Sequence, residues 1–106
     1  MQIFPTELAA LRKTSQPPHL LDVRETEEHE LVALPGSMLI PLGQLFVRAA
    51  EIAAWKDEEI IVYCHHGIRS LHAIQLLQGL GFTKLLNLSG GIDGWAREVE
   101  PAMRRY

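Results

Sequence analysis

Cys64 is the only cysteine in the chain, and His65, His66, Gly67, Ile68, Arg69 and Ser70 follow it directly. A thiolate is a strong nucleophile, and two imidazoles and a guanidinium within five residues could supply positive charge beside it. Ahead of the cysteine, Ile60-Ile61-Val62-Tyr63 is a β-branched and aromatic run, the mark of a strand buried on both faces. Behind it, Leu71, Ile74 and Leu77, with Ala73, Leu76 and Leu80 beside them, recur at helical spacing. Cys64 should therefore sit at the carboxyl end of a strand, in a short loop that feeds a helix N-terminus. Parallel α/β folds place ligand and catalytic groups there. The unpaired amides of a first helical turn and the positive end of the helix dipole both favour an anion. Gly67 lets the backbone curl so that successive N–H groups converge on one point. Such a cradle suits a thiolate, a persulfide or a bound oxyanion. The plain alternative is a small buried hydrophobe, the usual fate of a free cysteine. Two histidines, a glycine and an arginine at a strand-to-helix junction argue against it.

The elements that must hold this loop can be read along the chain. Gln2-Ile3-Phe4 is an edge-strand candidate, and Thr6 is the expected N-cap of a helix carrying Leu8 and Leu11. Pro17-Pro18 stops that helix, and His19 to Val23 reads as a core strand. Asp22, Arg24 and Glu25 lie at its carboxyl end, on the rim of Cys64 if the strands are parallel. Asp22 and Arg24 fit a structural ion pair or a helix cap as well as a brace for the cysteine loop. Thr26 to Glu30 is an acidic helical turn capped by Thr26, expected to be a solvated face with His29 exposed. Pro35-Gly36 is a turn and Met38-Leu39-Ile40 a brief strand. Leu42, Leu45, Phe46, Ala49, Ile52 and Ala53 predict one amphipathic helix, with Trp55 at its rim. Lys56-Asp57-Glu58-Glu59 is a polar turn into the Cys64 strand, and Gly79-Leu80-Gly81-Phe82 ends the central helix. Lys84 to Leu88 is a last strand, and Ser89-Gly90-Gly91 allows close backbone approach to the Cys64 loop. Residues 92–99 form a final helix in which Trp95 is a core anchor. Met103-Arg104-Arg105-Tyr106 carries no reading of its own. Alternating strands and helices predict a three-layer α/β/α fold around a mostly parallel sheet.

The overall numbers exclude several function classes. With 47% apolar and 22% charged residues and a net charge near −3, the chain has an ordinary globular composition. No basic run or aromatic-interleaved basic patch points to nucleic acid. A length of 106 residues suits a single domain, residues 1–106. One cysteine rules out an internal disulfide and suits a reducing compartment, the cytoplasm. No export leader or membrane span is visible, and no membrane partner is expected. His65 and His66 are adjacent rather than at i, i+4, and no carboxylate or thiolate partner is evident from the sequence. Neither a metal nor an organic cofactor is expected.

Four segments together resemble the rhodanese (sulfurtransferase) family. The loop Cys64 to Ser70 is similar to its active-site loop, and Leu20-Leu21-Asp22-Val23-Arg24-Glu25 resembles its strand ending in Asp-x-Arg. Leu34-Pro35-Gly36-Ser37 with Ile40-Pro41 resembles its Pro-Gly-Ala…Ile-Pro segment, and Leu88-Ser89-Gly90-Gly91-Ile92-Asp93-Gly94-Trp95 its Gly-Gly…Trp motif. Two positions depart from the pattern. His65 stands where members that use thiosulfate well often carry arginine, and Val32-Ala33-Leu34 stands where the family often has Gly-His-Ile.

The resemblance implies about five strands, with the cysteine loop at the middle of the sheet. It also implies sulfur transfer through a Cys64 persulfide, from thiosulfate or another persulfide to a thiol, cyanide or a protein acceptor. His65, His66, Gly67, Ile68, Arg69 and Ser70 would line the substrate, and Asp22 and Arg24 would support the loop. Two rivals stand beside this reading. Cysteine-dependent phosphatases and related arsenate reductases also use a loop at a helix N-terminus, but with five residues between cysteine and arginine rather than four. Rhodanese-like domains without the cysteine act as interaction or relay modules, whereas this chain keeps it.

Overall fold

A computed structural model describes residues 1–106. The run Ile60–Tyr63 forms β4, the middle strand of five, and all four of its side chains are buried. The others are β1 (Gln2–Ile3), β2 (His19–Asp22), β3 (Met38–Leu39) and β5 (Leu85–Leu88). Their order is β1-β5-β4-β2-β3, with every neighbouring pair parallel. Parallel pairing demands a crossover between strands, which is why helices or helical turns intervene at each step. The parallel α/β architecture expected from the alternating pattern is therefore the one observed.

Strand period sorts the core into two layers. Ile60, Val62 and Cys64 face one side with Leu21 and Val23, under α4 (Arg69–Gly79) and the segment 42–55. Ile61 and Tyr63 face the other side with Leu20 and Leu88, under α1 (Pro5–Leu11) and α5 (Gly91–Glu98). Trp95 is buried in this second layer, as a core anchor should be, and its Nε1 donates to Glu100 Oε1 at 3.1 Å. No helix is long and apolar enough to cross a membrane.

Several local expectations are corrected. Helix α1 starts at Pro5, so Thr6 lies inside its first turn. The Glu7 carboxylate caps the end instead, accepting from the Phe4 N–H at 2.9 Å. Helix α2 (Thr26–Leu31) is capped the same way: the Glu28 carboxylate accepts from the Glu25 N–H at 3.0 Å, and Thr26 is not the cap.

The predicted helix over 42–53 is broken into a 3₁₀ turn (Leu42–Gln44), the short α3 (Leu45–Arg48) and a second 3₁₀ stretch (Ala49–Trp55), with non-helical angles at Ile52. Inward residues three apart, the partly buried Leu42 with Leu45 and Ala49 with Ile52, fit the 3₁₀ repeat within each piece, and Phe46 is left 66% exposed. In α4 the buried stripe is Ser70, Ala73, Ile74 and Leu77, and Leu71 is 37% exposed. The stripe is rotated because Ser70 turns inward to the cysteine.

Candidate active site

The sequence Tyr63-Cys64 carries β4 straight into the loop, and the loop closes within five residues onto the first turn of α4. Cys64 is only 1% exposed. Two N–H donors converge on its sulfur, from Gly67 at 3.1 Å and from Ser70 at 3.4 Å, and the Ser70 hydroxyl oxygen lies 3.4 Å away. The N-cap of α4, Ile68, offers no side-chain acceptor, so the sulfur takes the capping role for amides that would otherwise be unpaired. Gly67 has φ +109°, the left-handed region in which a side chain is strained, and this turns its N–H toward the sulfur.

Polar groups from neighbouring strands fix this cradle. Asn87 on β5 is buried; its Oδ1 accepts from the Ser70 hydroxyl and its Nδ2 reaches Gly67 O at 3.4 Å. From the other side, the Ile92 N–H donates to Cys64 O at 2.9 Å and the Asp93 N–H to His65 O at 3.1 Å. Gly91 makes that approach possible: a Cβ there would overlap the carbonyls of Cys64 and His65. The close approach expected at Ser89-Gly90-Gly91 is thus present, and its partner is the backbone of the cysteine loop.

The charged side chains sit differently from the sequence expectation. None of His65, His66 or Arg69 is hydrogen-bonded to the sulfur. Arg69 instead forms a two-pronged pair with Glu28, Nη1 to Oε1 at 2.6 Å and Nη2 to Oε2 at 2.9 Å. The acidic turn of α2 is accordingly no simple solvated face: the hydrogen bonds from Arg69 hold the Glu28 carboxyl down at about 2, despite an opposing effect of burial. His29 is not merely exposed either, since its Nδ1 lies 2.8 Å from Asp22 Oδ2.

Asp22 and Arg24 are both fully buried and paired. Arg24 Nε donates to Asp22 Oδ1 at 2.9 Å and Nη2 to Oδ2 at 2.7 Å, while the Tyr63 hydroxyl donates to Oδ2 at 3.2 Å. Burial, reinforced by the Asp22 charge, pushes the Tyr63 hydroxyl up to about 12. Arg24 also reaches Val32 O, at 2.7 Å. Such a pair is tolerable only because nearly every donor and acceptor is satisfied. It locks the end of β2 to the segment that follows α2.

Four residues that the sequence reading left out of the site belong to its surroundings: Asn87, Glu28, Tyr63 and Tyr106. The tail carries the last of these over the loop. The Tyr106 ring stacks on His65 at 3.8 Å between centroids, and its hydroxyl donates to Glu28 Oε2 at 2.6 Å while accepting from Arg24 Nη1 at 2.8 Å. His65 also packs on His66 at 3.8 Å. Burial, with the His66 charge second, lowers the His65 pKa and favours the neutral ring. His66 is exposed, and Ile68, 65% exposed, stands at the loop's tip.

The fold also brings a carboxylate to the histidines that sequence spacing did not show. His65, His66 and Asp93 place one ligating atom each within 4.8 Å of the others, a set of the kind that holds a divalent ion. Asp93 is already engaged, accepting from Arg105 at 2.9 Å and from Arg97 at 3.3 Å.

The family model for the rhodanese-like domain matches residues 4–98. This chain belongs to that family. A sulfurtransferase of Allochromatium vinosum is 35% identical to this rhodanese-like chain over 82 residues, covering 77% of this chain and 75% of that one. YrkF of Bacillus subtilis is 39% identical over 82 residues, 77% of this chain and 43% of YrkF. The chain spans less than half of YrkF and about a quarter of the relatives named MoeZ in Mycobacterium tuberculosis. Among solved structures, a rhodanese-related protein of Thermoplasma volcanium superposes with a TM-score of 0.82 at 30% identity, covering 94% of each chain.

Proposed function

We propose that this rhodanese-like domain is a sulfurtransferase working through a Cys64 persulfide. The observation that supports this most is the convergence of the Gly67 and Ser70 N–H groups on one buried sulfur. That cradle stabilises negative charge on sulfur and holds it in place for attack. In the first step Cys64 sulfur attacks the outer sulfur of a donor. With thiosulfate the S–S bond breaks, the electron pair leaves on sulfite, and Cys64 keeps one extra sulfur. In the second step an acceptor removes that sulfur and the Cys64 thiolate returns: cyanide leaves as thiocyanate, and a small thiol or a protein thiol becomes a persulfide. The exchange needs no external oxidant and follows ping-pong kinetics. His65, His66, Ile68 and Arg69 form the rim that a donor meets, and Asp22 and Arg24 act by bracing the loop rather than in a chemical step. The domain is expected to do this in the reducing cytoplasm.

The test is an intact mass spectrum after incubation with thiosulfate or glutathione persulfide, and again after cyanide. Gain of one sulfur atom on Cys64, lost to cyanide with release of thiocyanate, is the expected result. No gain from either donor would sink the reading, and the chain would then be assayed as a binding or relay module and for phosphate-ester hydrolysis.

A further inference from the structure

The loop's one guanidinium is not free. Both prongs of Arg69 are taken by Glu28, and the Glu28 carboxylate is held in turn by the Tyr106 hydroxyl, itself anchored on Arg24. Arg24 is paired with Asp22, which also takes His29. The charges therefore alternate and cancel along one chain of contacts, Asp22, Arg24, Glu28, Arg69, with the tyrosine hydroxyl between the middle two. His65, on the other flank of the sulfur, is half buried, and its Nε2 has no hydrogen-bond partner. On the tail side Arg97 and Arg105 hold Asp93, and Arg104 is exposed. The surplus positive charge there attracts any anion at long range and does not distinguish one sulfur donor from another.

Two kinds of donor make different demands on such a rim. Thiosulfate is a dianion whose three sulfonate oxygens call for a bidentate cation, and its leaving group, sulfite, keeps both charges. With Arg69 on Glu28, the sulfonate meets only the remaining N–H groups of a guanidinium whose charge is already neutralised, and the edge that Glu28 holds becomes available only if Arg69 leaves it and the freed carboxylate faces the sulfonate. A persulfide of the form R–S–SH makes no such demand. Cys64 sulfur attacks the outer sulfur, the S–S bond breaks, and the pair leaves as R–S⁻, which takes up a proton. Its organic group can lie on Ile68 and on the stacked His65 and Tyr106 rings.

We infer that the Glu28–Arg69 pair, latched by Tyr106, makes this site selective for persulfide donors whose leaving group is a thiol, over thiosulfate. Glu28 and Tyr106 are positioning residues in this account, acting on the donor through Arg69. The inference rests on the sulfurtransferase reading above.

The experiment compares kcat/KM for Cys64 sulfur loading from thiosulfate and from glutathione persulfide, in the unaltered protein and in Glu28→Gln. Glutamine keeps the shape and removes the charge. The unaltered protein should load at least tenfold more efficiently from the persulfide, and Glu28→Gln should raise the thiosulfate-to-persulfide ratio about tenfold. Tyr106→Phe, which removes the latch without touching the pair, should move the ratio in the same direction by a smaller factor. A purely structural role for either residue would lower both donors alike and leave the ratio where it was. An unchanged or falling ratio in a folded Glu28→Gln protein overturns the inference. If that variant does not fold, the unaltered protein alone decides: equal or better loading from thiosulfate overturns the inference, and a tenfold persulfide preference supports it. Failure to load from either donor is a different result, because it removes the sulfurtransferase reading itself.

Discussion

At the scale of single residues, Glu28 connects the site to stability. Its carboxyl, held by Arg69 and opposed by burial, titrates at about 2 rather than the usual 4.5. A depressed folded value contributes stability that is full above the unfolded value and is lost as pH falls toward the folded one. Denaturant titrations should therefore find the unaltered protein about 1 kcal/mol more stable than Glu28→Gln at pH 7, with the gap closing as pH falls from about 4.5 to about 2. A gap that persists at pH 2 would mean that the glutamine side chain, not the lost charge, is responsible. The Cys64 loop itself was legible in the sequence because its residues are contiguous: sulfur, turn glycine and helix start lie within seven positions. Glu28, Asn87 and Tyr106 were not legible as its neighbours. Each has a partner 17 to 82 positions away, as Asn87 does from Ser70 and Tyr106 from Arg24. Only the asparagine left a mark, a lone amide within the apolar run Leu85-Leu86-Asn87-Leu88.

At the scale of elements, the start of α5 does as much for the loop as the start of α4. Gly91 has φ +62°, and its missing side chain is what lets the amides of residues 92 and 93 reach the carbonyls of residues 64 and 65. Gly91→Ala should cost about 3 kcal/mol in urea denaturation, combining the left-handed backbone with a collision against main chain that cannot swing away. A loss below about 1 kcal/mol would show that the loop yields easily. Strands and the parallel architecture were readable because buried β-branched runs and glycine stops are local signals. The 42–55 segment was misread for the converse reason. Its apolar spacing fits an α-helix and a 3₁₀ turn nearly equally, and only the position of its anchors against the sheet decides. The helix caps were misread because a carboxylate three residues into the helix did the work expected of a threonine in front of it.

At the scale of the whole molecule, no two paired strands of this sheet are neighbours through a hairpin. The edge strand β1 pairs with β5 across almost the whole chain, and Asn87 Nδ2 donates to Gln2 Oε1 at a separation of 85 residues. Each contact so distant in sequence costs loop-closure entropy before it is rewarded, which makes folding slow compared with a protein built from local pairs. For the cysteine this has a chemical consequence. The groups that touch its sulfur lie in the loop and α4, but those that hold that loop closed come from β5, α5 and Tyr106, so an incompletely assembled chain exposes the thiol. Pulses of iodoacetamide during refolding from urea should label Cys64 until the last kinetic phase and then stop abruptly. Labelling that ceased in an early phase would mean that the β4–α4 unit can shelter the sulfur alone. A cell making this protein thus exposes an oxidisable sulfur for as long as the sheet remains open.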